Sequence, residues 1–392
     1  MKKYFILVVS VLILSQSYAQ ENYKTISKED SLKIYQGTIG YPVKTYVDAP
    51  KSKKPKNIIF MIGDGMGVAQ VYAGLTANHG NLFLNNFQHV GFSDTQSSDN
   101  YITDSAAGGT ALSSGYRTYN GAIGVDTDTI ARPTMLEIAE EKGKSTGLVS
   151  TSAITHATPA SFIAHQPSRS MYEEIAGDFM NTDIDVFIGG GYKHFAERED
   201  GRDLTQELKK NGYAVLQDMN EIERVNSGKL AGLTASEHNA VASERNNMLP
   251  RATETALTIL SKNKKGFFVM IEGSQIDWGG HQNNTNYVVE EMLDFDKAVG
   301  KALEFAAKDR QTLIVITADH ETGGMGLVGG DMETGMVEGA FISGHHTSIM
   351  VPVFAYGPGA EQFTGIMKNE DIGKKLISFI HGKDEKKNQV RK

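Results

Sequence analysis

The chain has 392 residues, with 39 Lys and Arg against 47 Asp and Glu, 41 Gly and no Cys. At 40% hydrophobic and 22% charged it has the composition of a folded protein with one large or two ordinary domains, and its net charge of −8 argues against general binding to nucleic-acid phosphates. The missing cysteines exclude disulfides, zinc–cysteine and iron–sulfur sites and thiol nucleophiles, so any transition-metal chemistry must use His and carboxylates.

In chain order, residues 1–19 predict a cleaved signal peptide. Lys2 and Lys3 form a basic start, Tyr4 to Leu14 an apolar run, and Ser17-Tyr18-Ala19 a small-residue cleavage pattern. That run is too short to span a bilayer comfortably, and no later stretch is apolar for long enough to do so. Cleavage after Ala19 removes two lysines and takes the net charge from −8 to −10. The expected location is outside the cytoplasm, periplasmic or secreted. Residues 20–55 read as a polar arm or linker, 56–382 as the folded domain, and 383–392 as a charged tail.

Within the domain, short apolar, β-branched runs alternate with helical patterns. The runs are Asn57–Ile62, Ser145–Ser150, Asp185–Ile188, Gly266–Ile271, Thr312–Thr317 and Met350–Tyr356. Near-continuous runs of this kind predict strands buried on both faces. Helices are predicted over Thr134–Lys142, Arg251–Lys262 and Asn286–Lys308. The alternation implies an α/β fold with a mainly parallel central sheet and helices on both faces.

Polar residues follow three of these strands: Asp64, then Glu272 with Asp277, then Asp319-His320. In open α/β sheets the ligand crevice lies at the carboxyl ends of the strands, so these groups are expected to meet on one edge. Asp277 and His281 stand four apart, and His345-His346 follow a Gly-rich stretch. Carboxylate and imidazole together suit zinc where no thiolate is available. His79, His194, His238 and His381 are expected to be solvated surface residues. Thr103-Asp104-Ser105-Ala106-Ala107-Gly108-Gly109-Thr110 reads as a helix start, with Ser105 in its first turn. There a serine is either an N-cap or a nucleophile facing an anion held by the helix N-terminus.

From Asn57 to Pro358 the chain resembles the alkaline phosphatases, with several motifs in family order. Tyr101-Ile102-Thr103-Asp104-Ser105-Ala106-Ala107 is similar to the nucleophile motif, and Thr118 to Asp126 to the segment after it. His156-Ala157-Thr158-Pro159-Ala160 with Ser168-Arg169 resembles the block bearing a metal ligand and the phosphate-binding arginine. Ile271-Glu272-Gly273 with Asp277 and His281, Thr317-Ala318-Asp319-His320, and His346-Thr347 complete the set.

The resemblance implies two zinc ions and one magnesium ion. Asp277, His281 and His346 would hold the first zinc, with His345 as the alternative to His346. Asp64, Asp319 and His320 would hold the second, beside Ser105. Asp64, Thr158 and Glu272 would hold the magnesium. Asp64, Glu272, Asp277 and Asp319 carry four negative charges that three divalent cations would more than offset, and Arg169 adds to the excess. A phosphate dianion would thus be attracted although the protein as a whole is acidic. The implied activity is hydrolysis of small phosphomonoesters by two in-line displacements through a phosphoserine at Ser105. Arg169 would grip phosphate, with Asp104 orienting Arg169 or nearby backbone.

Two positions depart from the best-known bacterial pattern. His156 stands where an aspartate occurs, and Trp278 where a lysine occurs; both resemble variants in some animal and marine members. The expected consequences are weaker phosphate retention and a third site less selective for magnesium. Trp278 is either a packing or rim aromatic or a residue that shapes the substrate site. Only 25 residues separate His320 from His346, so the cap built there should be small and the site open. The family is often dimeric, which leaves a homodimer open.

The rivals are weaker. A sulfatase needs Cys or Ser in a C/S-x-P-x-R context, whereas Ser105 is followed by Ala-Ala-Gly. Arg169 favours free terminal oxygens over a diester, and a non-catalytic phosphate binder needs no nucleophile.

Overall fold

The computed structural model describes residues 34–37 and 40–382; the expected leader and the charged tail lie outside the described residues. The strands are β1 (Ile34–Tyr35), β2 (Asn57–Gly63), β3 (His89–Asp94), β4 (Ser145–Ala153), β5 (Val186–Gly190), β6 (Tyr213–Leu216), β7 (Lys229–Leu233), β8 (Phe267–Gly273), β9 (Thr312–Thr317), β10 (Glu321–Thr322), β11 (Gly326–Asp331), β12 (Met336–Ala340), β13 (His346–Thr347), β14 (Val351–Tyr356) and β15 (Gly365–Lys368). The helices that position the site are α1 (Val68–Ala77), α2 (Ser105–Ser114), α3 (Met135–Glu141), α4 (Met248–Leu260), α5 (Gln275–His281), α6 (Thr285–Asp309) and α7 (Asn369–His381).

Ten strands form one sheet in the order β15-β3-β14-β9-β2-β8-β4-β5-β7-β6. All run parallel except β14, which is antiparallel to both β3 and β9. The central strands are buried on both faces, as their unbroken apolar runs require. Ile59, Met61, Val269, Ile271, Ile314 and Ile316 pack under α1, α4 and α6. Their neighbours in sequence, Ile58, Phe60, Ile62, Phe268, Met270, Leu313 and Val315, pack under α2, α3 and α7. The two-residue period of a strand thus divides each run between two cores. Each fully buried side chain of this size contributes about 1.5–3 kcal/mol.

Thr134 caps α3 through a reciprocal pair: its hydroxyl accepts from Glu137 N, and Glu137 Oε2 accepts from Thr134 N at 2.8 Å. Residues expected as an arm are tied to the body: Tyr41 Oη donates to Asp296 at 2.6 Å, and Tyr356 Oη donates to Val47 O at 2.8 Å.

A three-stranded sheet, β1-β12-β11, stands on α1 and α6. Its strands β11 and β12 lie between His320 and His346 in the chain, where a small cap was expected, and β1 joins them from the N-terminal segment. Beside it, β10 pairs antiparallel with β13, setting Glu321 opposite Thr347 and Thr322 opposite His346. No helix among the described residues is long and apolar enough to cross a membrane.

Candidate active site

Three parallel strands deliver the acidic groups to one edge. Asp64 follows β2, Glu272 is the penultimate residue of β8, just before Gly273, and Asp319-His320 follow β9. All four side chains are fully buried. Helix α5 presents Asp277 from its first turn and His281 from its last, one above the other on one face. His346 arrives on β13.

These residues converge in three groups. Asp277, His281 and His346 form the first, Asp64, Asp277 and His320 the second, and Asp64, His156 and Glu272 the third. In the first, His281 Nε2 lies 3.4 Å from Asp277 Oδ2 and 3.1 Å from His346 Nε2. The far nitrogens are engaged: His281 Nδ1 lies 2.8 Å from Gly344 O, and His346 Nδ1 lies 2.9 Å from Thr103 O. A carbonyl accepts only from N–H, so both rings donate through Nδ1 and turn Nε2 toward each other and toward Asp277. Two Nε2 atoms held in this way beside a carboxylate are placed as the ligands of a cation would be. His345 is exposed and lies outside all three groups, so His346 is the histidine brought to Asp277.

Around the second group, His320 Nε2 is 3.4 Å from Asp64 Oδ1 and 3.4 Å from Asp319 Oδ2. Asp319 Oδ1 accepts from the backbone N of His320 at 3.0 Å and of Gly65 at 3.4 Å. Glu272 Oε2 accepts from Ser150 Oγ at 2.6 Å. The remaining atoms, Asp319 Oδ2, Glu272 Oε1, both oxygens of Asp64, Thr158 Oγ1 and His156 Nδ1, are buried without a hydrogen-bond partner. Buried polar atoms are normally satisfied, so a cluster of bare ones facing one space marks the place of something the protein binds. Burial, then mutual repulsion with Asp319, Asp277 and Glu272, holds the Asp64 carboxyl well above its ordinary range. Burial pushes Asp319 and Glu272 in the same direction. Burial, reinforced by the neighbouring His346 and Arg169, pushes His320 well down, so it is a neutral, ligand-competent imidazole. A cluster of this chemistry fits divalent cations.

Ser105 is the first residue of α2, almost fully buried, with Oγ 3.2 Å from His320 Nε2. Asp104 precedes it and serves both purposes anticipated for it. Its Oδ1 accepts from Ala107 N at 3.0 Å, capping α2, and from Gly121 N at 3.1 Å; its Oδ2 accepts from Arg169 Nη1 at 3.0 Å. Burial opposes the Arg169 charge, but Asp104 more than restores it. Arg169 Nη2 also donates to His156 Nε2 at 3.2 Å.

Trp278 is partly exposed and packs edge-on against His156 and His238, at ring distances of 6.2 and 4.8 Å. This corrects the expectation for His238, whose Nδ1 accepts from Ala153 N at 3.0 Å. His194 is likewise not a solvated surface group: it is buried, stacked on Tyr172 and bonded to Thr155 Oγ1 at 2.7 Å. Sequence reasoning also missed the hydroxyls of Ser150, Ser152 and Ser274 around Glu272, and the pair Glu321-Thr322. The former had a signal, a serine-threonine run at the end of a buried strand; the latter had only its place directly after His320.

A family model described as Alkaline phosphatase matches residues 55–339. The chain belongs to the alkaline phosphatase family. It is 35% identical to alkaline phosphatase 4 of Bacillus subtilis, over 83% of this chain and 88% of that one. It is 32% identical to the alkaline phosphatase of Escherichia coli, over 83% of this chain and 86% of that one. The solved alkaline phosphatase of the Antarctic bacterium TAB5 matches with a TM-score of 0.80 at 42% identity, covering 84% of this chain and 99% of that chain. This alkaline phosphatase is therefore a metal-binding hydrolase of phosphomonoesters, and its fold is that of the family.

Proposed function

We propose that this alkaline phosphatase hydrolyses phosphomonoesters through a phosphoserine at Ser105, with two zinc ions and one magnesium ion. The observation that carries the reading is Ser105 Oγ, at the N-terminus of α2 and 3.2 Å from a neutral His320, among buried carboxylate oxygens that lack partners. Asp277, His281 and His346 offer one zinc a carboxylate and two imidazoles; Asp64, Asp319 and His320 offer the other zinc two carboxylates and one imidazole. Asp64, Thr158 and Glu272 supply the oxygens that suit magnesium, with His156 adjacent. A solved histidine-to-aspartate mutant of TAB5 alkaline phosphatase has Mg bound in its M3 site, which supports assigning magnesium to one group. When bound, the cations stabilise charge on the attacking and leaving oxygens and lower the proton affinity of a coordinated hydroxyl.

The chain's own residues supply the rest. Arg169, held by Asp104, presents a planar pair of donors to two phosphate oxygens. The start of α2 adds its dipole. In the first displacement the Ser105 Oγ–P bond forms as the ester P–O bond breaks and the alcohol leaves. In the second, a water oxygen bonds to phosphorus, the Ser105 bond breaks, and inorganic phosphate departs. The basic start, apolar run and cleavage pattern of residues 1–19 support export.

The test is a mass spectrum of protein acid-quenched during turnover of p-nitrophenyl phosphate. A phosphate adduct on Ser105, absent from Ser105→Ala and lost on chelation, is expected. A fully active Ser105→Ala protein would overturn the assignment.

A further inference from the structure

Thr322 is fully buried, two residues after His320, and its side chain reaches both zinc groups. Its Oγ1 donates to Asp277 Oδ1 in the first group and lies 3.2 Å from His320 Nδ1 in the second. A hydroxyl has one proton and two lone pairs, and a carboxylate only accepts. With the proton spent on Asp277, Oγ1 must accept Nδ1–H of His320. That leaves the His320 lone pair on Nε2, the atom facing Asp64, Asp319 and Ser105.

We propose that Thr322 is a positioning residue whose single hydroxyl sets the tautomer of His320 and the orientation of Asp277 together, keeping the two zinc groups in register. The inference rests on the two-zinc reading above.

The surroundings are built to hold this side chain still. Glycine lies on either side of it. A Cβ on Gly65 would come within 2.9 Å of Thr322 Oγ1, and one on Gly280 would come within 2.9 Å of its Cβ and Cγ2. Gly65 follows Asp64 and Gly280 precedes His281, so the threonine fills the gap between two candidate ligand segments. Its backbone is fixed as well: Thr322 N donates to Gly65 O at 3.3 Å, and Thr322 O accepts from Gln70 Nε2 at 3.0 Å. The preceding residue sets the register of β10. Buried Glu321 accepts from Gln70 Nε2 at 2.8 Å, from the backbone N of Gly324 and Met325 at 3.1 Å each, and from Thr347 Oγ1. A β-branched side chain so enclosed keeps one rotamer. Glu321 thus ties the strand that carries Thr322 to the strand that carries His346.

The test compares full-length zinc-loaded wild type, Thr322→Val and Thr322→Ser. Zinc release to a competing fluorescent chelator is read alongside kcat and KM for p-nitrophenyl phosphate. Valine keeps the shape and removes the hydroxyl; serine keeps the hydroxyl and removes the methyl that packs on Gly280. Loss of an outer hydrogen-bond partner weakens metal binding about 10–100-fold. Thr322→Val is expected to lose zinc at 10–100-fold lower chelator concentration, and Thr322→Ser to hold zinc as wild type does. Wild-type zinc retention in Thr322→Val would overturn the proposal. So would a Thr322→Ser protein that loses zinc at that same lower chelator concentration, an outcome readable even if the valine variant does not fold. A wild type that binds no zinc at all would instead sink the two-zinc reading, and the proposal with it.

Discussion

His156 sits between two demands that one neutral imidazole cannot meet. It accepts from Arg169 through Nε2, which spends its one lone pair, so its proton is on Nδ1, which has no hydrogen-bond partner. Burial and the Arg169 charge also push its pKa well below the ordinary histidine value, so it does not donate from both nitrogens. A carboxylate has lone pairs for both partners and is a harder ligand. His156→Asp is therefore expected to bind magnesium at least tenfold more tightly by calorimetric titration. Unchanged affinity would remove His156 from the third group. Asp104 is the opposite case, one side chain meeting two demands at once. Asp104→Ala should cost about 1 kcal/mol through the lost cap and lower Tm by about 1–2 °C in a chain of this size. It should also raise KM for p-nitrophenyl phosphate, because Arg169 loses its anchor; an unchanged KM would show that Arg169 is held by other means. These residues were readable in sequence because motif and position carried them. His238 was not, because nothing local distinguishes a loop histidine that packs on Trp278 from one in solvent.

At the scale of elements, strands buried on both faces were legible because an apolar run admits little else at that length. β3, β6, β7 and β15 were not among the strands expected. In β3 the residues alternate between buried and exposed, and β6 and β15 are the outermost strands, so these three lack the unbroken burial that marked the others; β7 is buried at four of its five residues, but its Lys-Leu-Ala-Gly-Leu has no β-branched run to announce it. The segment leading to Arg169 is held by an ion pair that depends on pH. His165 Nε2 lies 2.9 Å from Glu137 Oε1 in α3, and its Nδ1 lies 2.7 Å from Gly124 O. Burial disfavours the charged ring, but Glu137 and the Gly124 carbonyl outweigh it and raise the His165 pKa. Because the folded value exceeds the unfolded one of about 6.5, the contribution is complete below that pH and fades as pH rises through the raised value. Wild type is accordingly expected to lose more Tm than His165→Gln between pH 6 and pH 9. Equal losses would mean that the pair contributes nothing measurable, as for many half-exposed pairs.

For the whole molecule, cations and fold are linked. The buried carboxylates raise one another's proton affinity, so divalent cations that bind only the folded chain should stabilise it, by about 2.7 kcal/mol per site at a hundredfold excess over Kd. Chelation is expected to lower Tm in proportion to the logarithm of free zinc; a Tm indifferent to chelation would count against the assignment. The parallel sheet and its crevice were legible from strand order alone. The pairing of β10 with β13 was not, because two-residue strands separated by a cap leave no periodic signal. Since β14 alone runs backwards, the segment entering it starts at the edge where its neighbours end, and His346 is delivered there. The candidate ligands thus range from Asp64 to His346 along the chain. On the proposed assignment, a chain ending before residue 346 lacks both the last imidazole of the first group and the strand that joins β3 to β9. Such a truncated chain is expected to bind less zinc than the full one, which makes the C-terminal strands the clasp of the site.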